Sequence, residues 1–149
     1  MSTDQHVAPA PQGDYRPAVL HNGVVYTAGM TPRRDGALTV TGVVGRTVSI
    51  EEARAAAGLA ADNALAAVFS VLPAGVGGVR CLRMIVYVAC TSDFHELSKV
   101  ADGASGAISR ALGPHMLPAR SAIGVLTLPA GAPVEVELVA AVDGPATPE

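Results

Sequence analysis

The chain has 149 residues, of which 50% are hydrophobic and 15% are charged, with a formal net charge of −3 at pH 7. A chain of this length buries one core without disulfides or a structural metal, so we expect one domain. The ten Lys and Arg residues are scattered, which leaves no basic surface for nucleic acid. Two Phe, three Tyr and no Trp also offer few rings for base stacking.

The ends of the chain differ in composition from its middle. Residues 1–13 are polar and alternate prolines with small residues, so we expect a flexible lead-in, a domain over 14–144 and a tail over 145–149. The N-terminus resembles no secretory signal, and no apolar run is long enough to span a membrane. On one strand, Cys81 and Cys90 would lie roughly 30 Å apart and could not pair. A cytoplasmic protein is therefore expected, and its apolar excess predicts a homo-oligomer.

The first half of the chain predicts a hairpin and a long helix. Two β-rich runs flank Asn22-Gly23, a pair typical of hairpin turns. The segment 31–45 is expected to be a loop with one short strand. Ser49 and Glu52 have the spacing of a capping box, which predicts a helix from residue 50 that ends before Pro73.

The second half predicts a strand, a helix and a pair of strands. A β-branched run predicts a strand over 79–90, and a weaker helix is expected over 93–112 because Gly103 and Gly106 interrupt it. Residues 118–139 read as strand, turn and strand. The order ββ, α, β, α, ββ favours an α+β fold.

Three charged residues stand in the otherwise apolar stretch 118–139. Glu135 and Glu137 are two apart, so in a strand they share one face. Arg120 precedes them, and an Arg and a Glu on neighbouring strands could hold an anionic substrate and activate a water. A solvated strand face and an internal salt bridge of Arg120 explain the same residues.

Other motifs give no support for a cofactor or metal. The "GVGGV" run lacks the Gly-Lys that a phosphate loop needs, and the four histidines have no metal-ligand spacing. No His stands near either cysteine in the pattern of a catalytic thiol. We therefore expect neither a cofactor nor a metal.

The stretch "PARSAIGVLTLPAGAPVEVELVA" resembles the C-terminal signature of the Rid (reactive intermediate imine deaminase) family, also called YjgF or L-PSP. Pro-Ala-Arg-Ser is followed by Leu-Pro and an alternating Val-Glu-Val-Glu. The resemblance extends over most of the chain from Tyr15, through "VYTAGMTP" and "GVVGRTVSIEEARAAAGLAADNALAAV" to the strand and second helix.

This resemblance implies a chorismate-mutase-like α+β protomer, in which two helices pack on one face of a mixed β-sheet. It further implies a homotrimer with clefts between subunits and no cofactor. The activity implied is the hydrolytic deamination of enamine or imine intermediates to 2-keto acids and ammonia, as in 2-iminobutanoate/2-iminopropanoate deaminases.

The resemblance also assigns roles to single residues. Arg120 would clamp a substrate carboxylate, and Glu135 would position or deprotonate a water, whereas Glu137 would be a strand neighbour without a catalytic role. Residues that would bind substrate are Tyr15, Gly29, Met30, Ser98 and Ala122.

Two departures from the family pattern lie in this expected cleft. The family often has Ser-Gly-Gln where this chain has Ala28-Gly29-Met30, and Ser98 stands where an Asn is common. The cleft therefore lacks a hydroxyl and an amide, which predicts a less polar or different substrate. The alternatives are a non-catalytic trimer that binds a small carboxylate and, with little support from charge, an RNA-acting protein.

Overall fold

Five strands form one mixed sheet, and two helices cover one of its faces. The structure, a computed structural model, describes residues 6–144. The elements in chain order are β1 (Ala18–His21), β2 (Val24–Thr27), β3 (Arg33–Arg34), β4 (Ala37–Leu38), α1 (Ile50–Ser70), β5 (Val79–Ala89), α2 (Leu97–Leu112), β6 (Ala119–Val125) and β7 (Val134–Val142). The predicted α+β fold, with two helices on one face of a mixed sheet, is confirmed.

The strands of the large sheet are ordered β1-β2-β7-β5-β6. All neighbours are antiparallel except β5 and β6, which run parallel because α2 carries the chain back between them. In this order, β6 is one edge strand of the sheet and β1 is the other. The strands β3 and β4 form a separate two-stranded hairpin.

Alternation along β7 separates a core face of the sheet from an open face. Val134, Val136 and Leu138 are buried under the helices, while Glu135 and Glu137 between them are only half-buried. We call the face opposite the helices the open face. It also carries apolar side chains that are 41–52% exposed, namely Val19, Tyr26 and Ile123.

The two helices pack closely because small residues line their contact. Ser49 and Glu52 form the predicted capping box at the start of α1. The helix α2 begins at Leu97 rather than at residue 93, and it continues without a break through Gly103. A Cβ added at Gly103 would lie 2.8 Å from the carbonyl carbon of Arg54, so this glycine permits the helices to approach. The expectation that it interrupts α2 is wrong.

The turns predicted from Asn-Gly and Asp-Gly pairs are present. Asn22 and Gly23 have φ values of 51° and 76°, as a type I′ turn requires. Asp35 and Gly36 adopt the same conformation between β3 and β4, so the segment 31–45 contains a two-stranded hairpin instead of one short strand. The strand predicted over 79–90 ends one residue earlier.

The described part of the N-terminal segment lies against α1. His6 Nε2 is 2.5 Å from Oδ1 of the buried Asn63, and Ala8 packs on the core. Residues 1–5 and the predicted tail 145–149 lie outside the described residues, so the predicted domain boundaries stay predictions. Among the described residues, no helix has the length and hydrophobicity to cross a membrane.

Candidate active site

Arg120 lies on the edge strand β6 and points toward α2. Its register partner on β5 is the buried Met84, which places both side chains on the helix side of the sheet. Nη1 of Arg120 donates to Asp102 Oδ1 and to Ser105 Oγ, both at 2.8 Å. Nη2 donates to Ser98 Oγ at 2.8 Å and to the Ser98 carbonyl at 3.4 Å.

This network includes an ion pair within the chain. The side chain of Arg120 is 20% exposed and that of Asp102 is 55% exposed. The internal salt bridge, left open by the sequence, is therefore present. Arg120 and Ser98, both predicted site residues, are brought into contact. The sequence offered no reason to select Asp102 or Ser105, which come close only through the packing of α2 against β6.

Glu135 lies on the open face, beside the backbone of Gly29. A Cβ added at Gly29 would lie 2.6 Å from Cδ of Glu135, so the carboxylate occupies the space that a side chain would need. Burial is the main cause that raises the pKa of Glu135 above its ordinary value, and the charge of Glu137 adds to it. Gly29 and Glu135, both predicted site residues, are thus brought together, and its raised pKa makes the Glu135 carboxylate a stronger base than an exposed glutamate.

Glu137 has a partner that the sequence did not identify. The hydroxyl of Tyr87 donates to Glu137 Oε1 at 2.5 Å. This hydrogen bond is the largest cause that raises the pKa of Tyr87 to about 12, ahead of burial and of the charges of both glutamates. Tyr87 is also the register partner of Glu135 on β5. A tyrosine in a predicted strand was the only hint that the sequence offered. The register of β5 against β7 was needed to place Tyr87 beside the two glutamates.

Within one chain, Arg120 and Glu135 do not form a common site. The sequence left open that they face each other from neighbouring strands, but β5 lies between β6 and β7. They also point to opposite faces of the sheet, since Arg120 contacts α2 and Glu135 lies on the open face. The residues therefore fall into two groups, the Arg120 group on the helix side and the Glu135 group on the open face.

The other predicted residues are distributed around these groups. Tyr15 is 48% exposed, and its hydroxyl accepts from the Gln12 N–H at 3.2 Å. Met30 is buried in the core, and its backbone exchanges two hydrogen bonds with Val136. Ala122 follows Arg120 on β6 and packs partly on the core.

The two cysteine thiols and a cavity beside α1 lie outside both groups. Burial raises the pKa of Cys81 to about 11 and also raises that of Cys90, which makes both poor nucleophiles at neutral pH. A cavity of about 580 Å³ between the N-terminal segment and α1 is lined by His6, Asp62 and Phe69 but by neither Arg120 nor Glu135. In residues 6–144, no three His, Cys, Asp or Glu side chains are grouped as a metal site requires.

Comparison with known proteins places this geometry in a family. The chain is 33% identical over 135 residues to protein TCP17 of Trypanosoma cruzi, a match that covers 87% of this chain and 82% of that protein. The crystal structure of protein Atu1372 from Agrobacterium tumefaciens has 33% identity and a TM-score of 0.80, over 90% of this chain and 86% of that one.

A more distant structure shares the fold. The YjgF gene product of Escherichia coli is 24% identical, with a TM-score of 0.63 over 90% of this chain and 92% of that one. The family model described as endoribonuclease L-PSP matches residues 5–142, which is nearly the whole chain. The chain therefore belongs to the L-PSP family, to which the YjgF structures also belong.

Proposed function

We propose that this protein hydrolyses the C=N bond of a reactive imine, or of an enamine after its tautomerisation, and releases ammonia. The observation that carries the proposal is Glu135, a half-buried carboxylate seated against Gly29 with a pKa raised by burial. Such a group is a stronger base than an exposed carboxylate, which favours the removal of a proton from water. Imines need no metal or redox cofactor for hydrolysis, because the carbon is already electrophilic.

The proposed site lies in a cleft between subunits of a homotrimer. One chain presents the Arg120 group and the Glu135 group on opposite faces of its sheet, so two copies are needed to bring them together. The exposed apolar side chains of the open face, including Tyr26 and Ile123, favour burial against another copy. The edge strand β6 would then carry Arg120 to the Glu135 of a neighbouring subunit.

The proposed chemistry divides the work between the two groups. Glu135 takes a proton from water as the water oxygen bonds to the imine carbon. As the C=N π bond opens, the imine nitrogen takes the proton that Glu135 removed from water, which gives an aminoalcohol. The hydroxyl proton of the aminoalcohol then moves to the nitrogen, the C–N bond breaks, and ammonia leaves as the C=O bond forms. Arg120 supplies positive charge that orients polar groups of the substrate. A 2-imino acid is the simplest substrate of this kind and would give a 2-keto acid.

The proposal is tested by competition for a freshly made imine. An amino-acid oxidase and its substrate generate a 2-imino acid, and semicarbazide traps whatever is not hydrolysed. The protein should lower the rate of semicarbazone formation, and Glu135→Gln should abolish the effect. Glu137→Gln is the matched control, since it removes the same group from the same strand face. Semicarbazone formation at the buffer rate with wild-type protein at micromolar concentration, for this imine and also for an imine without a carboxylate, would refute the proposal.

Two rival functions give different results. A binding trimer without turnover would hold small carboxylates equally well as wild type and as the Glu135→Gln variant, and would never accelerate imine loss. A ribonuclease, the activity that the family's description names, would need a cationic surface, yet the open face carries two carboxylates and the chain is acidic. RNA binding that persists at high salt and is lost in Arg120→Ala would favour that function.

A further inference from the structure

The guanidinium of Arg120 is already satisfied within its own chain. Its two Nη atoms carry four hydrogens, and the contacts to Asp102, Ser105 and Ser98 account for all four. Within residues 6–144, the Nε hydrogen is the one without such a partner. Of the two arms of the planar fork that would grip a substrate carboxylate, Nη1 is thus held by the Asp102 carboxylate and Ser105, and Nη2 is held by Ser98.

A substrate carboxylate would meet two obstacles here. It must displace Asp102 or a serine to reach both Nη atoms, and it must approach the negative charge of Asp102, whose side chain is 55% exposed. An uncharged polar group meets neither obstacle, because it can accept from Nε or replace a serine hydroxyl without charge repulsion. Repulsion between Asp102 and a substrate carboxylate would therefore select against charged substrates, because like charges brought together at a binding site lower affinity.

We infer that Asp102 is a specificity-determining residue, and that this site takes imines without a carboxylate in preference to 2-imino acids. The inference rests on the proposed function for the identity of the reaction, and on the Arg120 contacts for the charge preference. Ser98 and Ser105 hold the guanidinium in place as neutral partners, while Asp102 places a negative charge beside it.

Binding of stable product analogues tests the charge preference without turnover. Pyruvate and its uncharged amide, pyruvamide, are titrated by calorimetry into wild-type protein and into Asp102→Asn. Wild-type protein should bind pyruvamide more tightly than pyruvate. Asp102→Asn should bind pyruvate about tenfold more tightly than wild type and pyruvamide equally, since one like charge about 5 Å away in a half-exposed site has an effect of this order.

Two control variants separate this effect from others. Glu96→Gln removes the same charge just before α2, from a residue paired with Lys99 and not with Arg120, and should change neither affinity. Ser105→Ala removes a neutral partner of Nη1 and should leave the ratio of the two affinities unchanged. Asp102→Ser is the replacement if Asp102→Asn does not fold, as judged by circular dichroism.

The outcomes distinguish this inference from the proposed function. Pyruvate bound as tightly as pyruvamide by wild type, an unchanged ratio in Asp102→Asn, or no binding of pyruvamide would each overturn the inference. A separate turnover experiment compares the rate of hydrolysis of a 2-imino acid with that of an uncharged imine, which a flavin-dependent amine oxidase supplies. No hydrolysis of either imine, together with the expected binding ratio, would refute only the proposed function.

Discussion

Replacement of Gly29 by alanine tests the role of Glu135 without touching its carboxylate. A Cβ at residue 29 would lie 2.6 Å from Cδ and 2.9 Å from Cγ of Glu135, whereas ordinary contacts begin at 3.4 Å. The carboxyl carbon must therefore retreat by about 0.8 Å, the difference between 3.4 Å and 2.6 Å. Gly29 does not have a positive φ, so alanine can adopt its backbone conformation and the effect is steric.

The expected result is a loss of activity with little loss of stability. Glu135 is a long side chain that can rotate away, so the free energy of unfolding should fall by about 0.5–1.5 kcal/mol, as for an off-rotamer side chain. A misplacement of about 1 Å lowers rates about a hundredfold. We therefore expect kcat/KM for imine hydrolysis to fall about 10- to 100-fold, or about 1.4–2.7 kcal/mol of transition-state stabilisation.

The assay combines the semicarbazide competition with urea unfolding. Gly144→Ala is the control, because an added Cβ there meets nothing within 4 Å. The double variant Gly29→Ala with Glu135→Asp should be impaired less than the product of the two single effects, since the shorter carboxylate relieves the overlap. Activity of Gly29→Ala within about twofold of wild type would refute the placement of the reacting carboxylate beside Gly29.

Three further predictions follow from the open face. Because the folded-state pKa of Glu135 is raised, ionisation of this group lowers the free energy of unfolding as the pH rises above the ordinary pKa of Glu. Glu135→Gln should therefore unfold at a higher urea midpoint than wild type at about pH 7.5, and the two midpoints should become equal at about pH 4. Because Glu137 contributes to that shift, Glu137→Gln should move the acid limb of kcat/KM to lower pH, and an unmoved limb would contradict the coupling. We expect wild type to sediment as three protomers and Ile123→Asp, which places a charge among exposed apolar side chains, to sediment as a monomer.

Local patterns determined most of the elements and one half of the site. The capping box of Ser49 and Glu52 specified where α1 begins, and Asn22-Gly23 specified a hairpin, because both depend on backbone groups within a few residues. The spacing of two between Glu135 and Glu137 placed them on one strand face. Pro-Ala-Arg-Ser at Arg120, the following Leu-Pro and the alternating Val-Glu-Val-Glu together indicated the family that the comparisons confirmed.

Only the tertiary structure decided what these residues face. The insertion of β5 between β6 and β7 separates Arg120 from Glu135, and strand order depends on which apolar faces bury one another across the whole chain. The pairing of α2 with β6 brings Asp102 to Arg120, eighteen residues away, and the pairing of β5 with β7 brings Tyr87 to Glu137, fifty residues away. A short pattern carries no information on such partners, because the contacts form only when distant segments share one core.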